Sequence, residues 1–310
     1  MNEITTVTDT ISDDRFAAGC GFSDGAYKPI SEVTISILDW GFNKSDVTYD
    51  VVHVWDGGFF RLQDHLDRFW NSMDGLRMSI PHSKDEVAEI LTECIRRAGL
   101  RDSYVAMITT RGVPAPGMPR KPGLITNRFF AYALPWIDVI AKDVQERGAH
   151  LVIAKTQRIA TEAVDPKIKN YHWGDLIRAQ FEADDRGADT AVLLDADGFV
   201  TEGPGFNVFA ILDGTVVSPD KGALEGITRK SVFELCDELG VPVEVRPLTA
   251  QELLDADEIF TATTAGGVMP ASRIDGHIKG NDRPGPISAK LKERYWQKHD
   301  EGWHKTPIDY

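Results

Sequence analysis

The chain has few cysteines, no long apolar run and no excess of basic charge, and each deficit removes a class of function. Its three cysteines, Cys20, Cys94 and Cys236, are odd in number and far apart in sequence. No spacing among them suits a metal or a disulfide framework, and buried free thiols in a reducing cytoplasm are expected. No stretch approaches 18 consecutive apolar residues, so no transmembrane helix is expected. The opening "MNEITTVTDTISDD" has neither a basic n-region nor an apolar h-region, and we expect no signal peptide and a cytoplasmic location. Lys and Arg number 34 against 48 Asp and Glu, a formal charge of −14. That balance speaks against nucleic acid or an anionic membrane as partner, since both need a basic footprint. A small anion would need a local basic pocket. Walker, H-E-x-x-H and G-x-S-x-G motifs are absent, and the eight histidines are scattered, so no metal is expected. "GPGFNV" at 203–208 lacks a third glycine and sits between two strands, unlike a dinucleotide-binding turn. There is no repeat at a fixed period.

With 42% hydrophobic and 26% charged residues the composition is that of an ordinary globular protein. At 310 residues, two packed domains are expected. We divide them into a smaller α+β domain over 1–135, a connection over 136–147 and a larger α+β domain over 148–310. Strands are predicted for Val33–Leu38 and, more strongly, for the β-branched and aromatic run Val47–Trp55. In the latter, Tyr49, Val51 and His53 share one face and Asp50, Val52 and Val54 the other. A turn at Asp56–Gly58 pairs this strand with "FFRL". Helices are predicted from about Gln63, after a capping box at Ser83 and Glu86, over 174–186, over the segment ending at Gly240, and after a second capping box at Thr249 and Glu252. "SYVAMITTRG", "NRFFAYALPW", "HLVIAKT" and "EIFTATTAGG" read as strands, and the Pro/Gly-rich "GVPAPGMPRKPG" as a long loop. Runs of strands with helices between them indicate α+β rather than βαβ architecture.

Few residues could carry chemistry, and they act as a set. Lys169 precedes an aromatic-rich helix start. Glu202 follows a strand beside a glycine turn. "LEGITR" (224–229) puts backbone N–H groups and Thr228 at a helix N-terminus, where an anion is favoured. "TATTAGG" (261–267) is a second small, polar turn. Arg68 lies off the apolar stripe of its helix and is suited to bidentate phosphate binding. A lysine, a carboxylate and a cup of hydroxyls, amides and one arginine meet the needs of pyridoxal phosphate, whose ring is an electron sink.

In order, "DPKIKNYHWGDL", "TEGPGFNVF", "LEGITRKSV" and "FTATTAGGVMP" resemble the class IV pyridoxal-phosphate aminotransferases, which have fold type IV. The resemblance runs from about Ser36 to the C-terminus. Within the family, "SDVTYDVVHVW" and "DPKIKNYHWGDL" look closest to the (R)-selective amine transaminases. The resemblance implies a two-domain enzyme with pyridoxal 5'-phosphate at the domain interface, acting as a homodimer on a small-molecule amine or amino acid and a keto acid. It implies Lys169 as the Schiff-base residue and Glu202 as the partner of the pyridine nitrogen. Arg68, Ile227, Thr228 and Thr264 match the phosphate cup, and Leu224 matches the residue packed on the ring. Tyr49, Val51, His53, Thr263 and Ala265 fall on the substrate side. Arg120 matches the arginine of the mobile loop, displaced by a few residues, and Lys44 stands where the amine-transaminase pattern has histidine. The activity implied is transamination from a primary amine, (R)-configured, to a keto acid such as pyruvate. The alternatives are a branched-chain or D-amino-acid aminotransferase and a lyase of the aminodeoxychorismate type.

Overall fold

The computed structural model describes residues 14–310, so the expectation about a signal peptide falls on residues 1–13, outside the described residues. The first elements are β1 (Cys20–Ser23), β2 (Ala26–Pro29), α1 (Trp40–Lys44), β3 (Val47–Trp55), β4 (Gly58–Phe60), α2 (Leu62–Gly75), α3 (Lys84–Ala98), β5 (Ser103–Thr110) and β6 (Arg128–Pro135). Next come α4 (Lys142–Arg147), β7 (Ala149–Ile153), α5 (Gly174–Asp185), β8 (Thr190–Val192), β9 (Glu202–Gly203), β10 (Phe206–Leu212), β11 (Thr215–Ser218) and α6 (Ile227–Leu239). The chain ends with β12 (Val243–Val245), α7 (Ala250–Asp255), β13 (Glu258–Thr263), β14 (Gly267–Ile274), β15 (His277–Ile278), α8 (Pro286–Asp300) and β16 (Lys305–Pro307).

Two sheets form. The first is antiparallel, in the order β16-β4-β3-β5-β6-β1-β2. Alternation along β3 sends Val52 and Val54 to one face, where they pack with Leu66, Phe69 and Met73 of α2 and Val87, Leu91 and Ile95 of α3. Tyr49 and Val51 take the opposite face with Ala106. Helix α3 starts in the expected capping box, with the Ser83 and Glu86 side chains each bonded to the other's main chain, a feature contributing about 1 kcal/mol.

The second sheet runs β12-β11-β10-β13-β14-β7-β8, with β15 on β14 and β9 on β10. Its pairs are mixed: β7 is parallel to β14 and β8, whereas β10, β13 and β14 are antiparallel. Helices α6 and α8 cover one face through Val232, Leu235, Leu291 and Tyr295, packed on Phe209 and Phe260. Glu258 of β13 caps α8 from outside the helix, accepting from the Ile287 and Ser288 N–H groups at 3.0 and 2.8 Å. After α8 the chain returns to the first sheet, where β16 pairs with β4.

One strand expectation is corrected. Val33–Leu38 forms no strand: it follows a short 3-10 turn at Ile30–Glu32 and leaves Ile37 and Leu38 73% and 63% exposed. Its β-branched residues have no neighbouring strand to bond. The edge of the first sheet is taken instead by the β1–β2 hairpin around Asp24 and Gly25. All three cysteines are free and buried. No helix among the described residues is long and apolar enough to cross a membrane.

Candidate active site

The two lysines of the 167–169 stretch have different surroundings. Lys167 is exposed and ion-paired with Glu225 at 3.0 Å. Lys169 is half-buried, and its main chain is fixed from two sides. Its carbonyl accepts from the Tyr49 N–H at 3.2 Å and the Thr48 hydroxyl at 2.7 Å, and its N–H donates to Ser72 Oγ at 3.3 Å. An irregular segment is thereby tied to β3 and α2. The Lys169 amine stands 4.6 Å from the centre of the Tyr49 ring, which stacks on Tyr171 at 4.1 Å.

Glu202, buried on β9, faces the same space. Its Oε1 accepts from Arg158 Nε at 3.1 Å and Nη2 at 3.0 Å, and its Oε2 accepts from the Leu224 N–H at 3.0 Å. Burial pushes the Glu202 carboxyl above its ordinary value, and the Arg158 guanidinium opposes that rise. Arg158 also donates to Asp175 at 2.6 Å, so one buried cation serves two carboxylates.

Opposite lies the N-terminus of α6. Gly226 is its N-cap and supplies no side-chain bond, which leaves the first N–H groups, those of Ile227 and Thr228 included, without intrahelical partners. A Cβ at Gly226 would sit 2.0 Å from Asn207 Oδ1, so glycine is required for this close approach. Asn207 in turn donates to the Leu224 carbonyl at 2.8 Å. Arg68 comes from α2, held by Asp50: Nε donates to Oδ2 at 2.7 Å and Nη2 to Oδ1 at 2.9 Å. His65 adds a 2.8 Å bond to the same carboxylate. Burial alone would raise Asp50, but Arg68 and His65 more than offset it and hold this carboxyl well below the usual range.

Lys169, Glu202, Arg68, Leu224, Ile227, Thr228, Thr264, Tyr49 and Thr263 all line one cleft of about 650 Å³, its open mouth included. His172 and Trp173 complete a wall. Four other expected residues lie off this lining. Val51 is buried in the first sheet with Ala106. Ala265 is buried, and its carbonyl accepts from the Val139 N–H at 2.9 Å. Arg120 is exposed on the loop between β5 and β6. His53 is buried among aromatic rings, stacked on Phe60 and His299, because its strand face turns toward α8 at this point. Arg158, Asp50, His65 and Asn207 are the site residues that sequence reasoning missed. Each acts through a partner distant in the chain, and no local pattern marks it.

Burial also depresses four histidines: His53 well below its ordinary value, His65 and His150 less so, and His299 to about 4. A base with a lowered folded pKa binds fewer protons folded than unfolded. Its stabilisation is therefore complete above about pH 6.5 and lost as pH falls toward 4. For His299 the loss is about 3 kcal/mol. In chloride buffer, urea denaturation from pH 7 to 4 should show wild type losing more stability than His299→Gln by that order. Equal losses would contradict the assignment.

The chain is similar to known proteins over most of its length. The family model described as amino-transferase class IV matches residues 48–274. A putative branched-chain-amino-acid aminotransferase of Methanocaldococcus jannaschii is 33% identical, over 88% of this chain and 94% of that protein. The D-alanine aminotransferase of Bacillus licheniformis is 30% identical, over 84% of this chain and 90% of that protein. The branched-chain amino acid aminotransferase of Thermobaculum terrenum, solved in its PLP-bound holo form, superposes with a TM-score of 0.83 at 27% identity, covering 94% of this chain and 98% of that one.

Proposed function

The chain belongs to the class IV aminotransferases, and from that premise we propose that its cleft holds pyridoxal 5'-phosphate and moves an amino group from a primary amine, (R)-configured, to a keto acid such as pyruvate. The observation that carries this reading is the convergence of the Lys169 amine, the ion-paired Glu202 and the uncapped start of α6 on one cleft. These residues fit the group. The N–H groups of Ile227 and Thr228, the Thr228 and Thr264 hydroxyls and Arg68 suit a phosphate. Lys169 Nζ suits an aldehyde carbon, and Glu202 a protonated pyridine nitrogen. Leu224 would pack on the ring. The PLP form named for the Thermobaculum terrenum relative supports the same cofactor.

When bound, the cofactor supplies an electron sink for the carbanion formed at the substrate carbon. The chain's own residues do the rest. With the cofactor bound, Lys169 Nζ would take the proton from the substrate carbon as base and then, as acid, give it to the cofactor carbon that carries the amino nitrogen. Tyr49, fixed by its stack on Tyr171, walls the amine on the substrate side. Glu202, whose charged form the Arg158 guanidinium favours against burial, would support positive charge on the ring nitrogen. The bonds to Thr48, Tyr49 and Ser72 hold the lysine main chain still while its amine moves.

Both guanidinium groups lining the cleft are already engaged, Arg68 by Asp50 and Arg158 by Glu202 and Asp175. The names of the relatives favour a second reading, a branched-chain or D-amino-acid aminotransferase. A donor panel separates the two: (R)- and (S)-1-phenylethylamine, L-leucine and D-alanine, each with pyruvate or 2-oxoglutarate. Turnover of the (R)-amine with pyruvate is expected. Turnover of leucine with 2-oxoglutarate alone would overturn the amine reading and leave the second. Pyruvate release without an acceptor would indicate a lyase. The three free, buried thiols accord with a cytoplasmic setting.

A further inference from the structure

Off the cleft lining, α8 brings a second histidine to His53. The two rings meet Nε2 to Nε2 at 3.0 Å, and His299 Nδ1 is 2.7 Å from the Tyr295 carbonyl. Both side chains are buried, 1% and 4% exposed, among Phe60, Trp136, Trp296 and Tyr295.

Proton counting on this chain of atoms leads to a definite state. A carbonyl only accepts, so His299 Nδ1 carries hydrogen. In the neutral ring its Nε2 is then bare, and His53 Nε2 must carry the hydrogen of the N···N bond. That leaves His53 Nδ1 bare, and this ring nitrogen has no hydrogen-bond partner. The His53 ring lies by the main chain of Thr264, which favours a proton on the ring. Two neutral rings hold two N–H groups where three can be used. One added proton would complete the row from Thr264 through His53 and His299 to Tyr295.

Thr264 and Thr228 are the two hydroxyl residues of the proposed phosphate cup. The Tyr295 hydroxyl, also buried, lies beside the Thr228 side chain without a closed hydrogen bond to it. Unsatisfied polar atoms thus back both halves of the cup, the Tyr295 hydroxyl of α8 at Thr228 and His53 Nδ1 of β3 at Thr264, with His299 of α8 bonded to the far side of His53. The charged and titratable groups facing the pair are His65 from α2, Arg61 just before α2 and Asp300 from α8. Arg61 and His65 oppose a proton on it and Asp300 favours one.

We propose that His53 and His299 form a single buried proton site that takes up one proton when a dianion occupies the cup formed by Thr228, Thr264 and the start of α6. The proton comes from solvent, and no bond other than the new N–H is made. Occupancy of the cup and protonation of the pair then favour each other reciprocally, so phosphate is held more tightly as pH falls. The inference rests on the reading of the cleft as a phosphate site.

The test is ring-nitrogen NMR on full-length protein carrying 15N-histidine, titrated with pH, with His299→Gln used for assignment. Four samples are compared: no added anion, pyridoxal 5'-phosphate, sulfate, and pyridoxal, which lacks the phosphate. The protonation midpoint of the pair should rise by roughly one pH unit with pyridoxal 5'-phosphate and with sulfate, but not with pyridoxal. An unchanged midpoint in protein that has bound pyridoxal 5'-phosphate would overturn the proton site and leave the cleft reading standing. Failure to bind pyridoxal 5'-phosphate at all would overturn both.

Discussion

Lys169→Ala should abolish measurable transamination, with kcat reduced about 10³-fold or more, while Lys167→Ala stays within a few-fold of wild type. General acid–base catalysis by a positioned side chain contributes about 10²- to 10⁴-fold. Lys169 is additionally the only amine lining the cleft among the described residues. Its position is set by bonds to its main chain from Thr48, Tyr49 and Ser72, so truncation of its side chain leaves the surrounding fold in place. Lys167 has only an exposed ion pair with Glu225, and such pairs contribute about 0–1 kcal/mol. Kinetics on the two variants, with circular dichroism to confirm folding, separate the roles. Retained activity in Lys169→Ala would contradict the mechanism.

Arg158→Ala should be the most destabilising change in the site. It leaves Glu202 and Asp175, each about nine-tenths buried, without their shared cation. Removing one partner of a buried ion pair costs about 3–5 kcal/mol, because the other charge stays desolvated. The expected readout is a lower urea midpoint with an unchanged slope. A catalytic effect accompanies it. Burial already pushes the Glu202 carboxyl up, and with Arg158 gone nothing of equal strength opposes that rise. Catalysis needs the ionised form, so the residual rate of the variant should climb as pH rises through the elevated value. Arg158→Lys restores the charge without the two-pronged contact and should recover only part of the loss. A wild-type urea midpoint in Arg158→Ala would contradict this account of the site.

What can be read from sequence is local. Val47–Trp55 announces itself by β-branched alternation, and the boxes at Ser83 and Thr249 fix two helix starts because each cap bonds within its own turn. Lys169, Glu202, Thr228 and Thr264 stand out only as a set, through the order of their segments and the family resemblance that order carries, and all four line the cleft. Other features depend on partners far away in the chain. The β1 strand is short, fully buried and completed by β6, so its four residues show no alternation. Val33–Leu38 has the composition of a strand and no partner to make it one. Arg158, Asp50 and His65 have no motif: each is defined by a contact across the fold, with Glu202, Arg68 and Asp50 respectively. His53 lies on the expected strand face, but the approach of α8 turns that face from substrate to core.

The central claim is that Lys169 is the residue that holds the cofactor. Borohydride reduction of wild-type protein incubated with pyridoxal 5'-phosphate, followed by protease digestion and peptide mass mapping, addresses it without any substitution. The account predicts a phosphopyridoxyl mass on the peptide containing Lys169 and on that residue within it. A label on Lys167 or on a lysine outside the cleft, or no stable label at all, would contradict it.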